Sequence, residues 1–381
     1  MKNIFKKAIY NKSKTQCLEI GYFTNDNDEI QIEQFKPTTK KVPSVLPKEI
    51  TSLAQAFKGN ENEFIDGIQY WDTSKVTNMA GMFSNAYTFN QPIGKWDTSK
   101  VKNMSGMFCF AESFNQDISM WNTSNIENMS HMFYYAKNFN QPIGNWNTSN
   151  VINMSRMFYE AKNFNQPIGN WNTSNVKYMD FMFRGAEKFN QPIGNWDTSN
   201  VTNMHDMFFG AYNFNQNISM WDVSKVTSME SMFDGAKSFD QNLKSWKVDS
   251  VTYNKNFSRG SGFFEQENKK PSWKIKEINE PIEKKIEKET PKEIIYKSPE
   301  KPKVNIPWTR IVTPATKISP TLKPTLDSKK DLEIPKANVT TTNQQSKKLS
   351  TPAIVGIVVG SQVVLTSLAV GTPYLIKRFK K

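Results

Sequence analysis

The sequence predicts an α/β solenoid, a stack of 25-residue coils each built from a short strand and a short helix, in place of one globular core. Three observations carry this. Tryptophan recurs without a slip at Trp71, Trp96, Trp121, Trp146, Trp171, Trp196, Trp221 and Trp246. A Met-Phe pair keeps the same step from Met82-Phe83 to Met232-Phe233. Whole copies also align: residues 151–175 read VINMSRMFYEAKNFNQPIGNWNTSN and residues 176–200 read VKYMDFMFRGAEKFNQPIGNWDTSN. Seven full copies fill residues 76–250. A fixed period of this length marks stacked units, none of which buries its apolar face alone.

Within a copy, Val76, Met79, Met82, Phe83, Ala86 and Phe89 fall at steps of three, three, one, three and three. That spacing predicts one apolar stripe on a helix of two or three turns. The Asn, Asp or Ser residues of the preceding Thr-Ser-Asn/Lys segment supply a helix cap. Pro92, Pro142, Pro167 and Pro192 stop the helix, since proline lacks the N–H a helix interior needs. Ile93 and Trp96 then stand in a stretch that suits a short strand, followed by a polar Asp/Asn-Thr-Ser turn.

A degenerate copy precedes the array, with Leu46-Pro47, Ile50, Leu53, Ala56 and Phe57 in the places that Val76, Met79, Met82 and Phe83 take next. It resembles the bacterial leucine-rich repeat of the BspA type. The FNQPIGNWDTSNVTNM-like wording closely resembles the repeat of mycoplasma surface proteins known as domain of unknown function 285. The resemblance covers residues 46 to about 257 and implies surface display and adhesion. One departure stands out: the seven copies hold a single leucine, Leu243, with Met, Phe, Ile and Trp in its stead.

The formal net charge is +13, but residues 76–250 hold 13 Lys and Arg against 14 Asp and Glu. The excess positive charge therefore lies in the flanks. A nucleic-acid groove needs its basic residues on the folded surface, so no nucleic-acid partner is expected. Cys17 and Cys109 give neither a disulfide framework nor a metal spacing and read as free thiols.

Four regions follow along the chain. Residues 1–45 form a basic N-terminus and a β-hairpin, with Leu18, Ile20 and Tyr22 alternating before a polar turn at 25–28 and Ile30 and Ile32 after it. This hairpin caps the first coil. Residues 46–267 are the solenoid, from the degenerate copy to a degenerate end. Residues 268–348, with ten prolines among Lys, Glu and Thr, bury too little to offset ordering and read as a disordered stalk. Residues 349–381 are an anchor: 353–376 carry no charge over 24 residues, enough for a transmembrane helix. Lys377, Arg378, Lys380 and Lys381 then favour a cytoplasmic tail, with the repeats outside. No run of apolar residues after the basic N-terminus reads as a cleaved signal peptide.

The sequence shows no catalytic, cofactor-binding or metal-binding constellation. His131 and His205 lie three coils apart, and no phosphate loop, nucleophile elbow or zinc spacing occurs. The invariant Gln91 to Gln241 column reads as a ladder of stacked amides, and the methionines as core filler. Variation concentrates after the Met-Phe pair. Phe110, Tyr134, Tyr135 and Tyr159, with Phe209 further on, are expected to form an exposed aromatic patch for a partner. The expected function is non-enzymatic: a membrane-anchored surface protein that binds a host or neighbouring-cell protein or glycan, in adhesion or as a variable antigen. The alternative is a tail-anchored scaffold facing the cytosol.

Overall fold

The computed structural model describes residues 3–274 and 278–279, and the backbone of 357–359 and 362–364. The chain divides into two units, Met1–Pro302 and Lys303–Lys381.

Five short strands open the first unit: β1 (Phe5–Lys6), β2 (Ile9–Tyr10), β3 (Cys17–Glu19), β4 (Tyr22–Thr24) and β5 (Ile30–Ile32). β4 and β5 form the hairpin, with Tyr22 opposite Ile32 and Thr24 opposite Ile30. The Asn25 side chain closes its turn by accepting the N–H groups of Asn27 and Glu29. The hairpin begins later than the alternation of Leu18, Ile20 and Tyr22 suggests, because β3 pairs with β2 instead. β1 lines the outer edge of β4, and β5 hands over to the array through a parallel bridge from Gln31 to Ser52.

From there a single-residue bridge continues coil by coil through Asn78, Asn103, Asn128, Asn153, Tyr178, Asn203, Ser228 and Tyr253. No α-helix occurs among the described residues, which corrects the expected helix of each coil. In the coil starting at Val76, the N–H groups of Met79, Gly81, Phe83 and Asn85 donate across to Asn103, Ser105, Met107 and Cys109 at 2.7–2.9 Å. The intervening Met82 and Ser84 donate back three residues, to Met79 and Gly81, at 3.2 and 3.0 Å. A helix needs every N–H to reach four residues back; here alternate donors are spent on the neighbouring coil. Positive φ at Gly81 and Asn85 (61° and 59°) turns the backbone out of the helical path. The expected strand at Ile93 and Trp96 is likewise a turn, closed by the Trp96 N–H on the Ile93 carbonyl at 3.1 Å. The segment expected to cap the helix is itself a local turn, in which Asp97 accepts from the Ser99 N–H.

The array is thus a solenoid of turns, held together by side-chain ladders. Phe83 and Phe89 stack face to face at 3.9 Å within their coil, and Phe83 meets Phe108 of the next coil at 5.8 Å. Trp146, Trp171 and Trp196 stack at 6.4 and 6.3 Å with planes 3° apart. From Trp96 to Trp246 each indole N–H donates to an isoleucine carbonyl of the coil before, as Trp171 does to Ile143 at 3.1 Å, while that of Trp71 goes to the Pro43 carbonyl. Phenylalanine in place of Trp171 would remove this inter-coil bond and leave the Ile143 carbonyl only the turn bond from the Trp146 N–H at 3.2 Å. The amide ladder also forms: the Asn90 side chain accepts both the Asn115 N–H and the Gln116 amide at 3.0 Å. At the far end Phe257 and Phe263 stand at 88° and 87° to Phe233, breaking the parallel stack.

The second unit shows β6 (Ile357–Val359) and β7 (Gln362–Val364), antiparallel, with Ile357 opposite Val364. The expected transmembrane helix at 353–376 otherwise lies outside the described residues, and within them these six residues are strand. No helix among the described residues is long and apolar enough to cross a membrane. Most of the expected stalk at 268–348 also lies outside the described residues.

Candidate interaction surface

Two positions in every coil hold left-handed backbone. One carries Gly81, Gly106, His131, Arg156, Phe181, Asp206, Ser231 and Asn256; the other carries Asn85, Phe110, Tyr135, Glu160 and then Gly185, Gly210, Gly235 and Gly260. The donors at both positions are needed for the inter-coil bonds, so the backbone is the same whatever the side chain. Sequence is therefore free to vary here in a way it is not in the core. These two columns and the residues just before them share one face of the array.

On that face the expected aromatic patch is brought together, but it is not an exposed one. Phe110 and Tyr134 are only 7% and 8% exposed, and with Cys109 they form a second, smaller core beside the main one. Phe110 stacks on Tyr135 at 5.0 Å, and Tyr134 on Tyr159 at 4.5 Å. The correction has a simple cause: side chains one coil apart in the same column are close enough to cover each other, so a run of large rings excludes water from its own middle. Tyr135 and Tyr159 stay half-buried at its rim. Phe209 has no ring contact with this cluster; Arg184 joins them, with its guanidinium 3.9 Å from the Phe209 ring and 5.6 Å from that of Tyr159.

The same columns continue as a ribbon of paired charges that the sequence reading missed. Arg156 lies 4.2 Å over Phe181 and bridges to Asp180 at 3.4 Å. Asp180 also accepts from the Ser155 hydroxyl at 2.6 Å. Arg184 pairs with Asp206, and Arg259 with Asp234 at 2.9 Å through Nε. His205 stands between Asp206 and Glu230, at 3.4 and 3.8 Å. The signal was available for one pair only: a step of 25 links Arg259 to Asp234, whereas the same step from Arg156 and Arg184 reaches Phe181 and Phe209.

Burial dominates the electrostatics. It drives the His131 pKa down to about 4, with the nearby Arg156 charge adding to the shift. It also lowers the pKa of His205, against the pull of Glu230. The Glu160 carboxyl is pushed up by burial, and so is that of Asp234 despite its bond to Arg259. The Cys109 thiol is raised to about 12 by burial and the Cys17 thiol to about 11, so neither is a thiolate nucleophile near neutral pH. Arg156, Arg184 and Arg259 of this face each have a carboxylate partner. What it presents is a firm, mixed aromatic and polar relief.

Fold and surface together define a repeat protein whose constant residues build a solenoid and whose variable residues share a face. The family model described as Mycoplasma protein of unknown function, DUF285, matches the chain at residues 51–168, 118–200 and 191–289. The chain belongs to that family. No curated protein and no solved structure matches it.

Proposed function

We infer that the array is the binding module of a surface-displayed, membrane-anchored protein, with no catalytic role. The observation that carries this is the segregation of variation. Seven coils repeat their Met, Phe, Trp, Asn and Gln almost without change, yet differ in size, charge and aromaticity at the positions that share one face. Structural need explains the constancy and is indifferent to the differences, which is the pattern of a scaffold carrying a recognition surface. The half-buried Tyr135 and Tyr159 and the Arg156–Arg184 ribbon are the proposed contacts, in place of a fully exposed patch. The apolar residues 353–376 are the proposed anchor, followed by a basic cytoplasmic tail. Kinship with leucine-rich repeats of the BspA type belongs to the same reading.

Limited proteolysis of intact cells tests it. External protease should release a fragment holding the tryptophan-marked array, cut between residues 268 and 348. Full protection in intact cells, with cleavage only after lysis, would overturn surface display and support a scaffold facing the cytosol.

A further inference from the structure

The residue before each tryptophan takes no part in the core and lies on a turn open to solvent. It is asparagine at 145, 170 and 195, as such a turn invites. At Tyr70, Met120 and Met220 it is large and apolar, and these side chains are 69%, 84% and 85% exposed. Side chains so exposed contribute little to folding. Around Tyr70 the surface is also hollowed on both sides. A hollow of about 370 Å³ lies between Lys41, Pro43, Gly67 and Tyr70. A second, of about 590 Å³, lies between Tyr70, Pro92, Gly94, Trp96 and Met120, with Lys95 and Asp117 at its rim.

Glycine keeps both floors low, for a reason internal to the stack. A Cβ on Gly67, whose φ is +111°, would stand 2.2 Å from the Val42 carbonyl oxygen, and one on Gly94 would stand 2.5 Å from that of Asp117. Coil contact excludes a side chain at each place, and the result is a bare backbone floor on either side of a free-standing phenol ring. Each hollow has one ammonium and one carboxylate: Lys41 with Asp66, paired at 3.0 Å, and Lys95 with Asp117.

We propose that the two hollows flanking Tyr70 bind a neutral oligosaccharide chain, one sugar unit to each side, with Tyr70 as the stacking platform. The C–H face of a pyranose is apolar and flat and suits an exposed ring, while its hydroxyls both donate to a carboxylate and accept from an ammonium. The balanced charge of each rim selects against sialylated or sulfated chains. A peptide is the weaker fit, because side-chain anchors need closed apolar pockets, whereas these hollows are open and each carries an ammonium and a carboxylate. The volumes fall within the ~300–1,000 Å³ of small-ligand sites. This names a partner class for the interaction role inferred above and rests on that reading for its setting, while using a different part of the surface.

The test is binding of the full-length chain to immobilised chito-, malto- and N-acetyllactosamine oligosaccharides, beside sialylated and sulfated chains and a peptide panel. Tryptophan fluorescence serves as the solution readout, because Trp96 lines the larger hollow. Saturable binding to a neutral chain is expected. Tyr70→Ala should weaken it by about tenfold, the scale of one lost ring stack, and Met120→Ala by less. Tyr253→Ser, at the far end of the array, should bind as wild type. Both substituted residues of the site are exposed, so folding is retained and a lost signal reports the site. Binding to no neutral chain, binding only to charged chains or peptides, or undiminished binding by Tyr70→Ala overturns the proposal. Cell attachment is scored separately. Attachment without oligosaccharide binding refutes the hollows and leaves the interaction role standing; oligosaccharide binding without attachment leaves the hollows standing and refutes a role in attachment.

Discussion

Phe110 and Tyr135 occupy the same column one coil apart, both with left-handed backbone, at φ 59° and 55°. Four later coils place glycine there, so Phe110→Gly and Tyr135→Gly ask what a ring is worth at a position that disfavours any side chain. Relief of left-handed strain returns about 1–2 kcal/mol. The greater freedom of glycine in the unfolded chain takes back about 0.5–1 kcal/mol, leaving a net gain of roughly 1 kcal/mol. Against this stands lost packing. Phe110 is 7% exposed and touches Tyr134 and Tyr135 at 5.3 and 5.0 Å, so removing its ring should cost about 3–5 kcal/mol. Tyr135 is half-buried at the rim, and its loss should cost about half as much. Packing therefore wins at Phe110, with a net destabilisation of about 2–4 kcal/mol, and is largely offset at Tyr135, where about 0.5–1.5 kcal/mol of destabilisation is left. Urea unfolding followed by tryptophan fluorescence measures both. Equal losses for the two variants, or a more stable Phe110→Gly, would refute the claim that burial in the small core separates them.

Trp171→Ala should cost about 3–5 kcal/mol, because the ring stacks on Trp146 and Trp196 and is 3% exposed; hydrogen exchange should show added opening in the coils on both sides, as nearest-neighbour coupling requires. The His131 pKa is depressed to about 4 in the folded chain, below its ordinary ~6.5. The unfolded chain thus binds the extra proton between these values. The contribution to stability is full above pH ~6.5 and is lost as pH falls towards 4, by up to about 3 kcal/mol. The raised carboxyls of Glu160 and Asp234 act in the opposite direction, so the measurement is the difference between wild type and His131→Gly across that range; parallel pH profiles would refute it. Finally, Tyr159→Ser should leave the array folded and reduce attachment of cells or beads carrying the protein; normal attachment by the folded variant removes Tyr159 from the binding surface.

The period, the number of coils and the identity of the core were legible in the residues alone. A 25-residue step in Trp, Met and Phe can only be satisfied by stacking like on like, and the positions inferred as apolar stripe are the ones buried, Val76, Met79, Met82, Phe83, Ala86 and Phe89 among them. The amide ladder followed from the same logic, since an invariant Gln beside an Asn that only Asp240 replaces has to find its partner in the next coil.

Whether the stripe was a helix was beyond the sequence. A run of three-residue turns places side chains on one side at nearly the spacing of a 3.6-residue helix, so the pattern does not separate the two. What separates them is where the backbone N–H groups go, and this depends on a neighbouring coil being close enough to accept them. The aromatic patch failed for a related reason. Sequence shows that Phe110, Tyr134, Tyr135 and Tyr159 vary and lie near one another, but exposure is a property of what covers a side chain. Only the stacked structure supplies the neighbour, and here the rings cover each other.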